Sequence, residues 1–311
     1  MKNLHRYRLM TPGPTPVPEE ARLALAKDVR HHRTESFREI FRQAQEGLRE
    51  VFRTQNEIAI LCGSGTAAME ACVVNAVPRG GTALVLYSGK FAERWAKLCE
   101  RFQIRPILYE VPWGEAFRPE KVREYLEKYP EIEAVYATLS ETSTGVGHDI
   151  AGIGRVVAET EALFVVDGIS GVGGMECRTD AWGIDLLAVG SQKALMTPPG
   201  LAFVAVSPKA WRKRDSFLEP PPTFYLDLQA YRKSARTFDT PYTPPRSMLA
   251  ALLESLRFLR EVGIENVWRQ TALLAKAVRA AVTAMGLTVF AQRPCDVLTL
   301  IQMPECVDVP R

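Results

Sequence analysis

The sequence predicts an α/β fold, a mainly parallel sheet with helices packed on it. Two observations carry this expectation. Seven short apolar runs are bounded by charged, Gly or Pro residues, and segments of helical spacing lie between most of them. Such alternation of strand and helix is the pattern of crossover-linked parallel strands.

The apolar runs are Glu57 to Cys62, Thr82 to Tyr87, Arg105 to Val111, Ala134 to Leu139, Ala162 to Asp167, Asp185 to Val189 and Leu201 to Val206. Their length and punctuation fit strands. Helical spacing appears over Thr66 to Val77, Phe91 to Phe102, Pro119 to Lys128 and Ile150 to Glu159. Ahead of the first strand, Ser36 to Phe52 places Phe37, Ile40, Phe41, Leu48, Val51 and Phe52 on one helical face, and Ser36 with Glu39 fits a capping box. That helix is expected to serve packing.

Past Val206 come two Pro-rich stretches, Glu219-Pro-Pro-Pro222 and Thr240-Pro-Tyr-Thr-Pro-Pro245, and then a helical run from about Arg246 to Met285 that Gly263 is expected to break. The expected organisation is an N-terminal arm (1–14), a large domain (15–255) and the start of a small C-terminal domain (256–311) with strand-like pieces at 287–291 and 297–303. A few strands without covering helices make a poor independent core, so this last piece reads as unfinished or completed by another element.

Bulk properties narrow the function classes. The formal net charge of +3 gives no general pull toward nucleic acid or membrane, so a ligand must be argued from a site. The six cysteines are scattered without a C-x-x-C pair, as expected for reduced thiols in a cytoplasmic protein. No apolar stretch reaches the roughly 18 residues of a membrane span, and no signal-peptide core follows the basic N-terminus.

Three places carry chemistry. In Cys62-Gly-Ser-Gly-Thr-Ala-Ala-Met-Glu70 an apolar strand runs through glycines directly into a helix, which offers free N–H groups to a phosphate; a tight turn with no ligand is the other reading. It is neither a P-loop nor a Rossmann glycine pattern. Asp167 ends a strand at the edge where open α/β sheets collect ligands. It fits either a cap on the following turn or a carboxylate paired with the ring nitrogen of pyridoxal phosphate (PLP). Lys193 follows the next strand, among small residues and without an acidic sequence neighbour, which favours a desolvated amine able to form a Schiff base over a solvated surface lysine. The combination, in that order along the chain, points to PLP.

With these motifs on the page, the chain resembles the class V aminotransferases of PLP fold type I, in the branch of alanine–glyoxylate and serine–pyruvate aminotransferases. The likeness runs from Thr11-Pro-Gly-Pro14 to Gly263-Ile-Glu-Asn-Val-Trp-Arg-Gln270. Its most specific pieces are Gly-Ser-Gly-Thr66, Glu141-Thr-Ser-Thr-Gly-Val146, Val-Val-Asp-Gly-Ile169 and Gly-Ser-Gln-Lys-Ala-Leu195. It implies Lys193 and Asp167 as catalytic residues, with Lys193 moving the proton at the substrate α-carbon. It further implies Gly65, Thr66 and Gln192 at the phosphate, Thr142 at the phenolic oxygen, Phe91 stacked on the ring (or else in the core) and Ile169 beside Asp167. Thr240 and Thr243 would reach the neighbouring subunit's phosphate in a homodimer with shared sites. His31-His-Arg-Thr34 matches a segment near the site mouth, though a solvated helix end fits equally. The implied reaction is transamination between alanine or serine and a 2-oxo acid such as glyoxylate or pyruvate. Alternatives are another fold type I PLP enzyme (an aspartate aminotransferase, a lyase or a cysteine desulfurase) or a non-catalytic subunit of this fold. Family members run on through a complete small domain that contributes a carboxylate-clamping arginine. Arg311, after Pro310, does not match that motif, so the small domain is expected to be truncated here.

Overall fold

Strands form where the apolar runs predict them. The computed structural model describes residues 9–28, 31–305 and 307; Arg311 and residues 1–8 of the expected arm lie outside them. Its strands are β1 (Glu57–Gly63), β2 (Thr82–Tyr87), β3 (Arg105–Glu110), β4 (Ile132–Thr138), β5 (Ser140–Glu141), β6 (Val146–Gly147), β7 (Leu163–Asp167), β8 (Leu186–Gly190), β9 (Gly200–Val206), β10 (Thr288–Val289) and β11 (Ile301–Gln302). The seven long ones make one sheet in the order β1-β9-β8-β7-β4-β2-β3. The pairs β2/β3, β2/β4, β4/β7 and β7/β8 are parallel, whereas β9 runs antiparallel to both β8 and β1. This is the mixed, mostly parallel sheet of PLP fold type I.

Successive strand residues face opposite layers, and both layers are apolar. Phe164 and Val166 of β7, Leu187 and Val189 of β8, and Val135 and Ala137 of β4 face a core shared with α2 (Glu35–Phe52), α5 (Pro119–Lys128), α6 (Ile150–Val157) and α9 (Arg246–Val262). Leu163, Val165, Leu186, Ala188, Ala134 and Tyr136 face the other, shared with α3 (Gly65–Ala76), α4 (Lys90–Arg101), α7 (Pro208–Asp215) and α8 (Leu228–Ala235). A short α1 (Glu19–Leu25) packs on α9 through Ala21, Ala24 and Ala251.

Several local expectations change. The capping box at Ser36 does not form: the helix cap is Thr34, with no side-chain cap bond, and Ser36 lies inside the first turn. Glu39 is taken by Arg42, 2.9 and 2.6 Å away, and by Gln43, so it does not reach back to the helix start. No helix was expected between Val206 and Arg246, yet α7 and α8 form there. Highly charged sequence masks their apolar anchors Trp211, Leu228 and Tyr231. Gly263 does end α9, with φ of 81°, and α10 (Ile264–Ala284) follows at once. Around residue 255, α9 runs unbroken from Arg246 to Val262. β10 and β11 form a two-residue ladder, and Cys295 and Arg293 bond to the backbone of Gly145 and Gly147. Among the described residues no helix is long and apolar enough to cross a membrane.

One packing contact yields a stability prediction. A Cβ on Gly154 of α6 would lie 1.9 Å from the Trp182 carbonyl oxygen, a backbone atom that cannot rotate aside. Gly154→Ala should therefore cost about 3 kcal/mol, the upper end of the range for overpacking a core, despite the helix propensity it gains. A urea midpoint equal to that of the parent would contradict this packing.

Candidate active site

The C-terminal ends of the parallel strands converge on one edge, where open α/β sheets place ligands. β7 ends at Asp167, β8 leads through Ser191 and Gln192 to Lys193, β2 leads through Ser88 and Gly89 into α4, and β1 turns into α3 at Ser64.

Asp167 is 3% exposed, and one carboxylate oxygen accepts the Ile169 N–H at 2.8 Å. It thus caps its own turn, as one of the two sequence readings held, while its second oxygen makes no hydrogen bond among the described residues. Burial pushes its carboxyl up to about 7, aided by the charge of Glu141 and opposed by the Ile169 N–H, Arg94 and Lys193. A carboxyl in that state is drawn back to the anion by a cationic partner, such as a protonated ring nitrogen.

Lys193 is half-buried, and desolvation lowers its pKa while the charge of Asp167 works the other way. Its amine donates to the Pro12 carbonyl at 3.0 Å. Thr15 pins the same segment across the lysine loop, donating its hydroxyl to the Lys193 carbonyl at 2.6 Å and its N–H to the Gln192 carbonyl at 2.9 Å. Gly13 lies so close that a Cβ there would be 2.5 Å from the lysine nitrogen, which explains a glycine at φ of 151°.

Gly65 opens α3, whose cap residue Ser64 makes no side-chain bond; Ala67 N–H turns back to the Ser64 carbonyl at 2.8 Å, leaving the Gly65 and Thr66 N–H groups available. A Cβ on Gly65 would meet Ile169 Cδ1 at 2.5 Å, and one on Gly190 would meet Gln192 Oε1 at 2.9 Å and Gly65 Cα at 3.5 Å. Gly65, Ile169 and Gln192 are therefore brought together, and the Gln192 side-chain oxygen is buried without a partner. Thr66 accepts a hydrogen bond from Arg94 at 3.1 Å.

Phe91 stands in the first turn of α4, half-buried and outside both core clusters, so it is not a core residue. Its position is held by Glu141, which is fully buried. One Glu141 oxygen accepts the N–H groups of Phe91 and Ala92 at 3.1 and 2.9 Å, and the other accepts the N–H and hydroxyl of Ser143 at 3.0 and 2.6 Å. Thr142 and Ser170 share a 2.6 Å hydrogen bond that ties the Glu141 loop to the Asp167 loop.

Thr240 and Thr243 are not joined to these residues by any hydrogen bond within the described chain. The Thr240 hydroxyl donates to the Tyr242 carbonyl at 2.7 Å, and Thr243 is exposed. His31 to Thr34 form an exposed helix approach, and Arg33 pairs with Asp239 and donates to the Thr240 carbonyl, away from Lys193.

Sequence reasoning assigned no role to Glu141, Arg94, Gly13, Thr15 or Ser170. Glu141 lay inside a recognised motif, and Arg94 lies one helical turn past Phe91, a spacing that puts two side chains on the same face. The Thr11-Pro-Gly-Pro14 likeness marked the segment of Gly13 without saying what it touches.

Comparison with known proteins identifies the family. Residues 20–299 match the family described as aminotransferase class-V. A soluble hydrogenase small subunit from a Synechococcus species is 40% identical over 290 residues, spanning 92% of this chain and 75% of that protein. The L-aspartate–glyoxylate aminotransferase of Paracoccus denitrificans is 37% identical over 308 residues, spanning 96% of this chain and 77% of that enzyme. Among solved structures, an alanine–glyoxylate aminotransferase from a Nostoc species superposes with a TM-score of 0.92 at 29% identity, covering 99% of this chain and 83% of that one. The chain belongs to the class V aminotransferases, a family of PLP-dependent enzymes.

Proposed function

We propose that this chain transfers an amino group from a small amino acid, alanine or serine, to a 2-oxo acid such as glyoxylate or pyruvate. The observation that carries the reading is the convergence of Lys193, Asp167, Gly65 and Gln192 on one sheet edge. The residues fit PLP: Asp167 has an oxygen to spare, and the start of α3 lacks a side-chain cap.

PLP supplies an electron sink for the pair left behind when the substrate α-hydrogen departs. The chain does the rest. Asp167 holds the ring nitrogen protonated. Lys193, kept toward its neutral amine by burial, would hold the cofactor and would take and return the proton at the substrate α-carbon. Phe91 fixes the ring by stacking, and Gly65, Thr66 and Gln192 hold the phosphate. Thr142 supplies a hydroxyl toward the phenolic oxygen.

Glyoxylate is the acceptor in the names of both the Paracoccus enzyme and the Nostoc structure, whereas their donors differ. Beside Lys193 lies a cavity of about 450 Å³ with a mainly apolar lining that includes Pro12, Gly173, Met196, Val267 and Val297, and among the described residues Lys193 is its only charged one. That lining favours a donor with a small uncharged side chain over an acidic one. Against the reading as a non-catalytic subunit, the complete Lys193 and Asp167 pair counts.

The proposal extends to a homodimer in which Thr240 and Thr243 reach the partner's phosphate. Exposed Thr243 and the aromatic surface of Phe224, Tyr225 and Tyr242 beside it support this. Cysteines that are free among the described residues accord with a cytoplasmic location. The test is a half-reaction screen on the purified protein with PLP, adding alanine, serine, aspartate and glutamate in turn. Alanine or serine should convert the absorbance to that of the aminated cofactor; conversion by none of the four would overturn the proposal.

A further inference from the structure

Arg94 has no role in the arrangement described so far, and its surroundings are unusual for an arginine. It is half-buried, one turn beyond Phe91 on α4, with its guanidinium carbon 5.1 Å from the Phe91 ring centre and one nitrogen 3.1 Å from the Thr66 hydroxyl oxygen. The other cations on the same face of the helix are matched: Lys90 and Lys97 both pair with Glu93, at 3.1 and 2.7 Å. Arg94 makes no ion pair with any carboxylate among the described residues. A half-buried guanidinium with no carboxylate partner, held by a ring and a hydroxyl, is placed to meet an anion.

The atoms around it say which anion fits. Thr66, while accepting from Arg94, keeps its own O–H free to donate. The first turn of α3 lacks a side-chain cap, and the Gly65 and Thr66 N–H groups stand unbonded at the positive end of the helix. Gln192 lies beside Gly65, and its amide N–H groups, not its oxygen, are the part that can donate to an anion. Together these make a multi-donor cradle, and a phosphate dianion needs a formal cation as well as dipoles. Around that turn the formal cations are Arg94 and Lys193; both feel the charge of Asp167, and only Lys193 also donates to a backbone carbonyl, that of Pro12.

We infer that Arg94 is the counter-ion of the cofactor phosphate and makes this chain select the phosphorylated over the unphosphorylated form of the cofactor. The inference rests on the PLP site proposed above. A guanidinium could equally meet a substrate carboxylate, and the experiment separates the two.

The parent protein, Arg94→Ala and Arg94→Lys are titrated with PLP and with pyridoxal, which lacks the phosphate. Bound cofactor is measured by equilibrium dialysis, and folding is checked by thermal midpoint. Arg94→Ala should weaken PLP binding about 10- to 100-fold, as for loss of charged hydrogen bonds, and change pyridoxal binding less than about threefold. Arg94→Lys, keeping the charge, should recover most of the loss. Millimolar inorganic phosphate should tighten pyridoxal binding to the parent but not to Arg94→Ala. Unchanged PLP affinity, or equal losses for both forms, overturns the inference; so does unchanged PLP affinity with a raised KM for the amino acid, which would assign Arg94 to the substrate. A parent that binds neither form sinks the site proposal itself, whereas a parent that binds PLP with an indifferent Arg94→Ala sinks this inference alone.

Discussion

Lys193→Ala is expected to lose transamination by about 10³-fold or more while the fold persists, because in the proposed site one amine would both anchor the cofactor and move the proton. Deleting an amine that donates only to the Pro12 carbonyl removes little packing, and Thr15 still pins the loop through its backbone. The loss is therefore chemical rather than structural. Lys193→Arg separates charge from nucleophilicity: its guanidinium stays protonated at all working pH values, so it keeps a cation near Asp167 and should be as inactive as alanine. The measurements are turnover and the visible absorbance of the lysine-bound cofactor. A Lys193→Ala protein retaining both would end the assignment.

Asp167→Asn should be the next most damaging change, lowering turnover by about 10²-fold or more, since a neutral amide cannot hold the ring nitrogen's proton by charge. Asparagine preserves size and can still accept the Ile169 N–H, so the turn survives. The same variant makes a second, independent prediction on cofactor-free protein. The folded carboxyl titrates near 7, against an ordinary value of 3.8 in the unfolded chain. Between those values the folded state binds more protons, so the contribution is present below about pH 4 and is lost as pH rises through 7. Parent stability should therefore fall across that window relative to Asp167→Asn, on the order of 1.4 kcal/mol per pH unit at most. Added PLP should reverse the trend by supplying a cation. Parallel pH profiles for the two proteins, measured by denaturant midpoint, would show that burial does not hold the proton on Asp167.

The pattern of strands and helices was legible because each element's own residues encode it. Phe164 and Val166 alternate with Leu163 and Val165 across β7, and Gly263 stops a helix wherever it occurs in such a run. The start of α2 was misjudged because capping depends on which partner Glu39 takes, and Arg42 outcompetes the helix terminus. The helices between Val206 and Arg246 were missed because their buried residues are few and spaced among lysines and arginines.

The candidate site divides the same way. Gly65, Thr66, Asp167 and Lys193 were visible from sequence alone because each stands at the end of an apolar strand, and strand ends can be read locally. What the amino acids determined by themselves was thus the set of groups offered at one sheet edge. Which groups meet was settled only in three dimensions: Arg94 at Thr66 across 28 residues, Glu141 under Phe91 across 50, and the Lys193 amine at Pro12 across 181. Those meetings follow from the strand order, which puts β7 and β8 between β4 and β9, and no local periodicity carries that order. Side chains converge there because separate strands end together, and that registration is a property of the assembled sheet.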